Sequence, residues 1–157
     1  PRVMSLPVVH DFKDERPSIF PVNADAQHRI SSGFGMRRSP FHKGEKRFHQ
    51  GMDIAINKGA EVYATGEGIV VEAKNLPKGF GKRVVISHSG EQELLTRYAH
   101  LDSYIVIEGE KVRKGDVIGF VGSTGLSTAP HLHYEVIDGG EFQDPKDFID
   151  DYSFDKK

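Results

Sequence analysis

Seventeen glycines interrupt this 157-residue chain at short intervals, and no stretch between them sustains a helical hydrophobic period over three turns. The intervening segments are short and rich in Val, Ile and Tyr. Residues 61–64, 69–73, 83–88, 104–108 and 117–121 are each about the length of a strand and are bounded by Gly, Asp or Asn. Alternation is visible in Arg83-Val84-Val85-Ile86-Ser87-His88 and clearer in His131-Leu132-His133-Tyr134-Glu135-Val136. A mainly β fold built on antiparallel pairing is therefore expected, with few short helices. One is expected at Asp144-Pro145-Lys146-Asp147, where a capping Asp precedes a proline suited to the first helical position. Residues 23–29 are a weaker helical candidate.

The chain is long enough to bury a core as one domain, and its 37% hydrophobic and 28% charged residues are ordinary for a globular protein. Residues 1–27 carry four prolines and no alternation, and read as an extended lead-in packed on the domain. The body is expected at 28–150 and a tail at 151–157. A net charge of −2 offers no field that would gather nucleic acid or an anionic membrane surface. Without cysteine, disulfides and thiolate metal sites are excluded. No apolar run approaches the roughly 18 residues needed to span a bilayer. The chain opens at Pro1 and reads as a mature or trimmed fragment, so the lack of a leader is uninformative.

Eight histidines are a heavy load, and their placement matters more than their number. In a strand, His131 and His133 project from one face while Leu132, Tyr134 and Val136 pack on the other. His49 and Asp53 stand four apart with Gly51 between them, so a turn at Gly51 lets imidazole and carboxylate converge on one cation. His49, Asp53 and one of the His131/His133 pair make a two-histidine, one-carboxylate set. That stoichiometry belongs to catalytic zinc sites, which keep a position open for water. Tyr98-Ala99-His100-Leu101 supplies a further imidazole. With no His-Glu-x-x-His present, a histidine must take the base role, and His100 and His131 are the candidates. Nucleophile elbows, phosphate loops and dinucleotide fingerprints lack support.

These residues resemble the lysostaphin-type (LytM-like) zinc peptidases over about three quarters of the chain. The resemblance is carried, in order, by Arg29-Ile30-Ser31-Ser32-Gly33-Phe34-Gly35-Met36-Arg37, His49-Gln50-Gly51-Met52-Asp53-Ile54-Ala55 and Tyr98-Ala99-His100-Leu101. Val112-Arg113-Lys114-Gly115-Asp116-Val117-Ile118-Gly119, Gly122-Ser123-Thr124-Gly125 and His131-Leu132-His133-Tyr134-Glu135-Val136 complete it. It implies a central antiparallel sheet with a groove walled by loops, and zinc held by His49, Asp53 and His133 with water as fourth ligand. His100 and His131 would face that water and the scissile carbonyl. Tyr98, Arg37 and Ser127 would contact substrate, although packing is the more ordinary role for Tyr98. The implied activity is hydrolysis of peptide cross-links or bridges in bacterial peptidoglycan, in the periplasm or outside the cell. A monomer is implied, with room for a regulatory protein partner. The bond cleaved is open between glycine bridges and direct cross-links, with the link to meso-diaminopimelate preferred. Ser39 before Pro40 and Ala129 before Pro130 depart from the family pattern and bear on loop shape.

Two other readings compete. A metal-free LytM-like module would bind cell wall or activate another hydrolase, but such relatives lose ligand residues and this chain keeps all three. A carrier-type β-hammerhead is suggested by residues 112–119, yet no lysine stands displayed at a hairpin tip.

Overall fold

The computed structural model describes residues 16–38, 46–88, 93–125 and 129–154. Among them the strands are β1 (His28–Ser32), β2 (Gly35–Arg38), β3 (Lys46–His49), β4 (Met52–Ile56), β5 (Glu61–Tyr63) and β6 (Gly68–Leu76). They continue with β7 (Gly81–Ser87), β8 (Leu94–Tyr104), β9 (Lys111–Val112), β10 (Val117–Val121), β11 (His131–Asp138) and β12 (Glu141–Gln143). One sheet runs β1-β4-β11-β8-β7-β6-β9, with β10 joining β5 to β8 and β12 added on β11. All of its pairings are antiparallel. A separate ribbon pairs β2 with β3.

Side-chain alternation decides which face of the sheet becomes the core. Met52, Ile54 and Ile56 of β4 are buried beside Leu132, Tyr134 and Val136 of β11. Val62, Val70, Val84, Ile86, Ile118 and Val121 complete that layer. The opposite face of β4 and β11 is thereby left to Asp53, His131, His133 and Glu135. Burial of one face also fixes the register, because a slip of one residue would drive the histidines into the core.

Segment 16–22 lies against the far side of this core. Phe20 and Val22 are buried, Ser18 donates its amide to the Thr65 carbonyl, and Pro21 accepts from Tyr63. Phe20 stacks on Tyr152 at 3.9 Å between ring centroids, and its amide donates to Asp151. Residues 150–154 thus close over the same segment, and Tyr152 and Phe154 pack on the core.

The helical expectations are corrected in part. At 144–148 a single 3-10 turn, Pro145–Phe148, forms with the Asp144 side chain accepting from the Lys146 amide. Residues 23–29 are not helical. The Asn23 side chain captures the Asp25 amide, the Asn23 carbonyl takes that of Ala26, and β1 begins at His28. Such side-chain capture competes with helix formation. Nor is 104–108 a strand: β8 ends at Tyr104, and the chain turns through Ile107–Glu110 with Gly109 at a φ of 94°. No helix among the described residues is long and apolar enough to cross a membrane.

Candidate metal centre

Register alone sets the first pair of groups together. His133 of β11 lies directly opposite Asp53 of β4, and its Nδ1 is 2.7 Å from Asp53 Oδ1. His49, at the end of β3, reaches the other carboxylate oxygen, with Nε2 3.3 Å from Oδ2. The intervening turn crosses β11 so closely that a Cβ at Gly51 would stand 2.4 Å from the Tyr134 carbonyl oxygen. Only glycine permits that approach. The nitrogens of His49 and His133 and an oxygen of Asp53 lie within 4.8 Å of one another.

The outer nitrogens of both rings are already committed. His49 Nδ1–H donates to the Gly33 carbonyl at 2.7 Å, with Ser32 Oγ 3.3 Å away. His133 Nε2–H donates to Glu135 Oε2 at 2.8 Å. Each ring therefore turns its second nitrogen towards Asp53. Two imidazole lone pairs and a carboxylate form a donor set suited to zinc, and three such ligands leave a coordination position open. The chain's residues fit the ion.

Charge at the centre follows from these contacts. Burial opposes ionisation of Asp53, yet hydrogen bonds and charge from His133 and His49 hold its pKa well below the carboxylate range. Burial would likewise depress His133, but Asp53 and Glu135 on either side carry it up to about 9.

His100 reaches the centre through an irregularity in β8. The pairing Val84↔Tyr98 is followed by Lys82↔Leu101, so β8 carries one residue more than β7 and forms a bulge. His100 itself has a φ of 62°, alone among the described non-glycine residues in being positive. The extra residue reverses the alternation. Thr96 and Tyr98 face the core, and so does Leu101 beyond the bulge, whereas His100 emerges beside His133 with ring centroids 6.1 Å apart. Its Nδ1–H donates to the Thr124 carbonyl at 2.7 Å. Thr124 is itself pinned, its hydroxyl donating to the Leu101 carbonyl and accepting from the Lys82 amide. His131 lies 5.0 Å from His100 between centroids. Its Nδ1–H donates to the Ala129 carbonyl, and its Nε2 is 3.8 Å from Asp53. Burial, the larger effect, pushes the His100 pKa down against the opposing Thr124 hydrogen bond.

All five residues expected to carry the chemistry thus meet at one place. The three expected to touch substrate fare differently. Tyr98 is corrected: it has no exposed surface, and its hydroxyl is held in the core by Thr65 and Thr96. Arg37 lies on β2 opposite Arg47, with its side chain outside the described portion, and Ser127 lies outside the described residues. Sequence reasoning also missed a group at the centre. Glu135 is fully buried on the histidine face of β11 and paired with Arg97, whose guanidinium lies over the Phe80 ring at 5.0 Å. The signal was available, because the alternation that places His131 and His133 together continues to Glu135.

The profile of peptidase family M23 matches residues 47–145. Over 115 residues the chain is 45% identical to the peptidoglycan DD-endopeptidase ShyA of Vibrio cholerae, covering 72% of this chain and 26% of that protein. The chain therefore spans about a quarter of the length of that relative. Its fold superposes on a zinc-containing peptidase from Vibrio cholerae with a TM-score of 0.73 and 37% identity, covering 82% of this chain and 39% of the other. The catalytic domain of the antimicrobial peptidase lysostaphin from Staphylococcus simulans gives 0.67 and 32%, covering 79% and 92% respectively. A profile match over 99 residues of the 157, on a fold and site of this kind, means that the chain belongs to peptidase family M23.

Proposed function

We propose that this chain is a zinc-dependent endopeptidase that hydrolyses peptide cross-links of bacterial peptidoglycan in the cell envelope. The observation that carries the reading is the meeting of His49, Asp53 and His133 within 4.8 Å, with His100 and His131 beside them. Direct cross-links are favoured over glycine bridges, since the relative at 45% identity is named a DD-endopeptidase. The catalytic unit is taken as residues 28–150, with 16–27 as a packed strap.

Zinc held by the three ligands would supply Lewis acidity for activating water and polarising the scissile carbonyl. The chain's own groups do the rest. His100, with Nδ1–H tied to Thr124, keeps a lone pair on Nε2. Its lowered pKa leaves it neutral near pH 7, ready to accept the proton lost by the attacking water. As the C–N bond breaks, that proton passes to the leaving amine. His131, oriented by the Ala129 carbonyl, stabilises negative charge developing on the carbonyl oxygen in its doubly protonated form, which donates through Nε2–H. The two imidazoles are the catalytic residues of this scheme, and their roles could be exchanged.

The reading is tested by incubating the zinc-loaded protein with purified sacculi of known cross-link chemistry and identifying the products by mass spectrometry. Loss of cross-linked dimers with gain of monomers is expected, and Asp53→Ala should bind no zinc and release nothing. Zinc-loaded protein that leaves every cross-link intact would reject the activity. Failure to take up zinc at all would favour a binding module.

A further inference from the structure

We infer that Glu135 is a positioning residue for the metal centre: held in place by Arg97, it fixes the His133 ring so that Nδ1 is the atom offered to the ion. The inference rests on the zinc reading above and adds to it a residue that touches neither metal nor substrate.

The argument begins with an anomaly of burial. Glu135 has no exposed surface, and a carboxyl group in such a place is costly unless it is paired. An apolar side chain would satisfy the same strand position at less cost. Each oxygen of Glu135 instead has a defined task. Oε1 accepts from Arg97 Nη1 at 2.5 Å, and Oε2 accepts from His133 Nε2–H at 2.8 Å. Because a carboxylate can only accept, that contact keeps a proton on Nε2, so Nδ1, which faces Asp53 at 2.7 Å, is the nitrogen that would give up its proton to the ion. The space for this arrangement is built in. A Cβ at Gly51 would lie 2.8 Å from Glu135 Cγ and 3.2 Å from His133 Cε1, so glycine at that position leaves room for both side chains.

Cations and an aromatic ring surround the carboxylate. Arg97 and Arg83 both lie over the Phe80 ring, at 5.0 and 5.1 Å, and Arg83 is anchored on both oxygens of Glu72. The Phe80 ring also lies 5.9 Å from that of His133. Glu72, which also pairs with Lys74, thus holds Arg83 over the ring, while Arg97 over the same ring joins Glu135 and through it His133. Carboxylates placed behind ligating histidines raise ligand basicity, and their removal typically weakens metal binding by about 10–100-fold.

The test measures zinc affinity by competition with a chromophoric chelator for the wild type, Glu135→Gln and the double variant Glu135→Leu/Arg97→Met. The double variant removes both charges, so no buried ion is orphaned. Binding should weaken about 10-fold in Glu135→Gln, which keeps an acceptor but not the charge, and about 100-fold in the double variant. Long-range proton–nitrogen spectra of the zinc-loaded wild type provide a readout that needs no variant. They should show His133 protonated at Nε2 with Nδ1 on the metal. The opposite assignment, or a folded double variant with wild-type affinity, would overturn the inference while leaving the proposed function standing. Wild-type protein that takes up no zinc would overturn both.

Discussion

Replacing His100 by glycine and, separately, by alanine distinguishes what the backbone requires from what the ring does. His100 sits at a φ of 62°, where an L residue is strained by roughly 1–2 kcal/mol. Both variants lose the hydrogen bond to the Thr124 carbonyl, about 1 kcal/mol, so that loss cancels between them. Alanine keeps the strain; glycine escapes it but gives back roughly 0.5–1 kcal/mol through its freer unfolded chain. The glycine variant should therefore be the more stable by about 0–1.5 kcal/mol, with a midpoint of about 0.75 kcal/mol that is about 1.5–3 °C in melting temperature for a chain of this size. Both should retain zinc, since His100 is not among the three ligands, while cleaving sacculi about 100–10,000-fold more slowly than the wild type. Paired calorimetric scans of the zinc-free proteins give the comparison. An alanine variant more stable than the glycine variant would refute the left-handed bulge. Normal cleavage by either would refute the role given to the ring.

Other expectations follow from neighbouring residues. Tyr98→Phe should lose about 1–3 kcal/mol in denaturant unfolding, because the buried Thr65 amide loses its acceptor and the Thr65 and Thr96 hydroxyls each lose one partner while keeping Tyr134 and His88; its activity per folded molecule should be unchanged, and a selective loss of activity would restore a substrate role to Tyr98. Gly51→Ala should cost roughly 2 kcal/mol or more and weaken zinc uptake, since its new methyl group meets the backbone of β11. An alanine variant with wild-type melting and zinc affinity would contradict the close crossing. In the metal-free protein, histidine NMR should place the His100 pKa below the ordinary 6.5. The folded state then binds fewer protons than the unfolded one, so His100 contributes stability above that range that is lost as pH falls through its depressed pKa. A titration midpoint at or above 6.5 would contradict the burial argument.

How far the residues revealed this arrangement depends on whether the controlling interaction is local. The alternation in 131–136 showed directly which side chains share a face, because a strand's period is fixed by geometry. The four-residue spacing of His49 and Asp53 around Gly51 likewise marked a turn, and the family resemblance chose His133 over His131 as third ligand. His100 was found by that resemblance, yet its route to the centre was hidden. Period-two reading puts Tyr98 and His100 on one face, and only a bulge set by the unequal pairing of β7 and β8 separates them. For the same reason Tyr98 read equally well as a substrate contact or a core residue. Glu135 was overlooked although alternation exposes it, because a glutamate in a strand ordinarily faces solvent and its partner Arg97 lies on another strand. The failed helix at 23–29 was decided by one Asn side chain capturing a local amide.

Diffraction data from zinc-loaded crystals, recorded on either side of the zinc absorption edge, test the central claim most directly. An anomalous peak bonded to His49 Nε2, Asp53 and His133 Nδ1 is the predicted result. Zinc held by other side chains would contradict it.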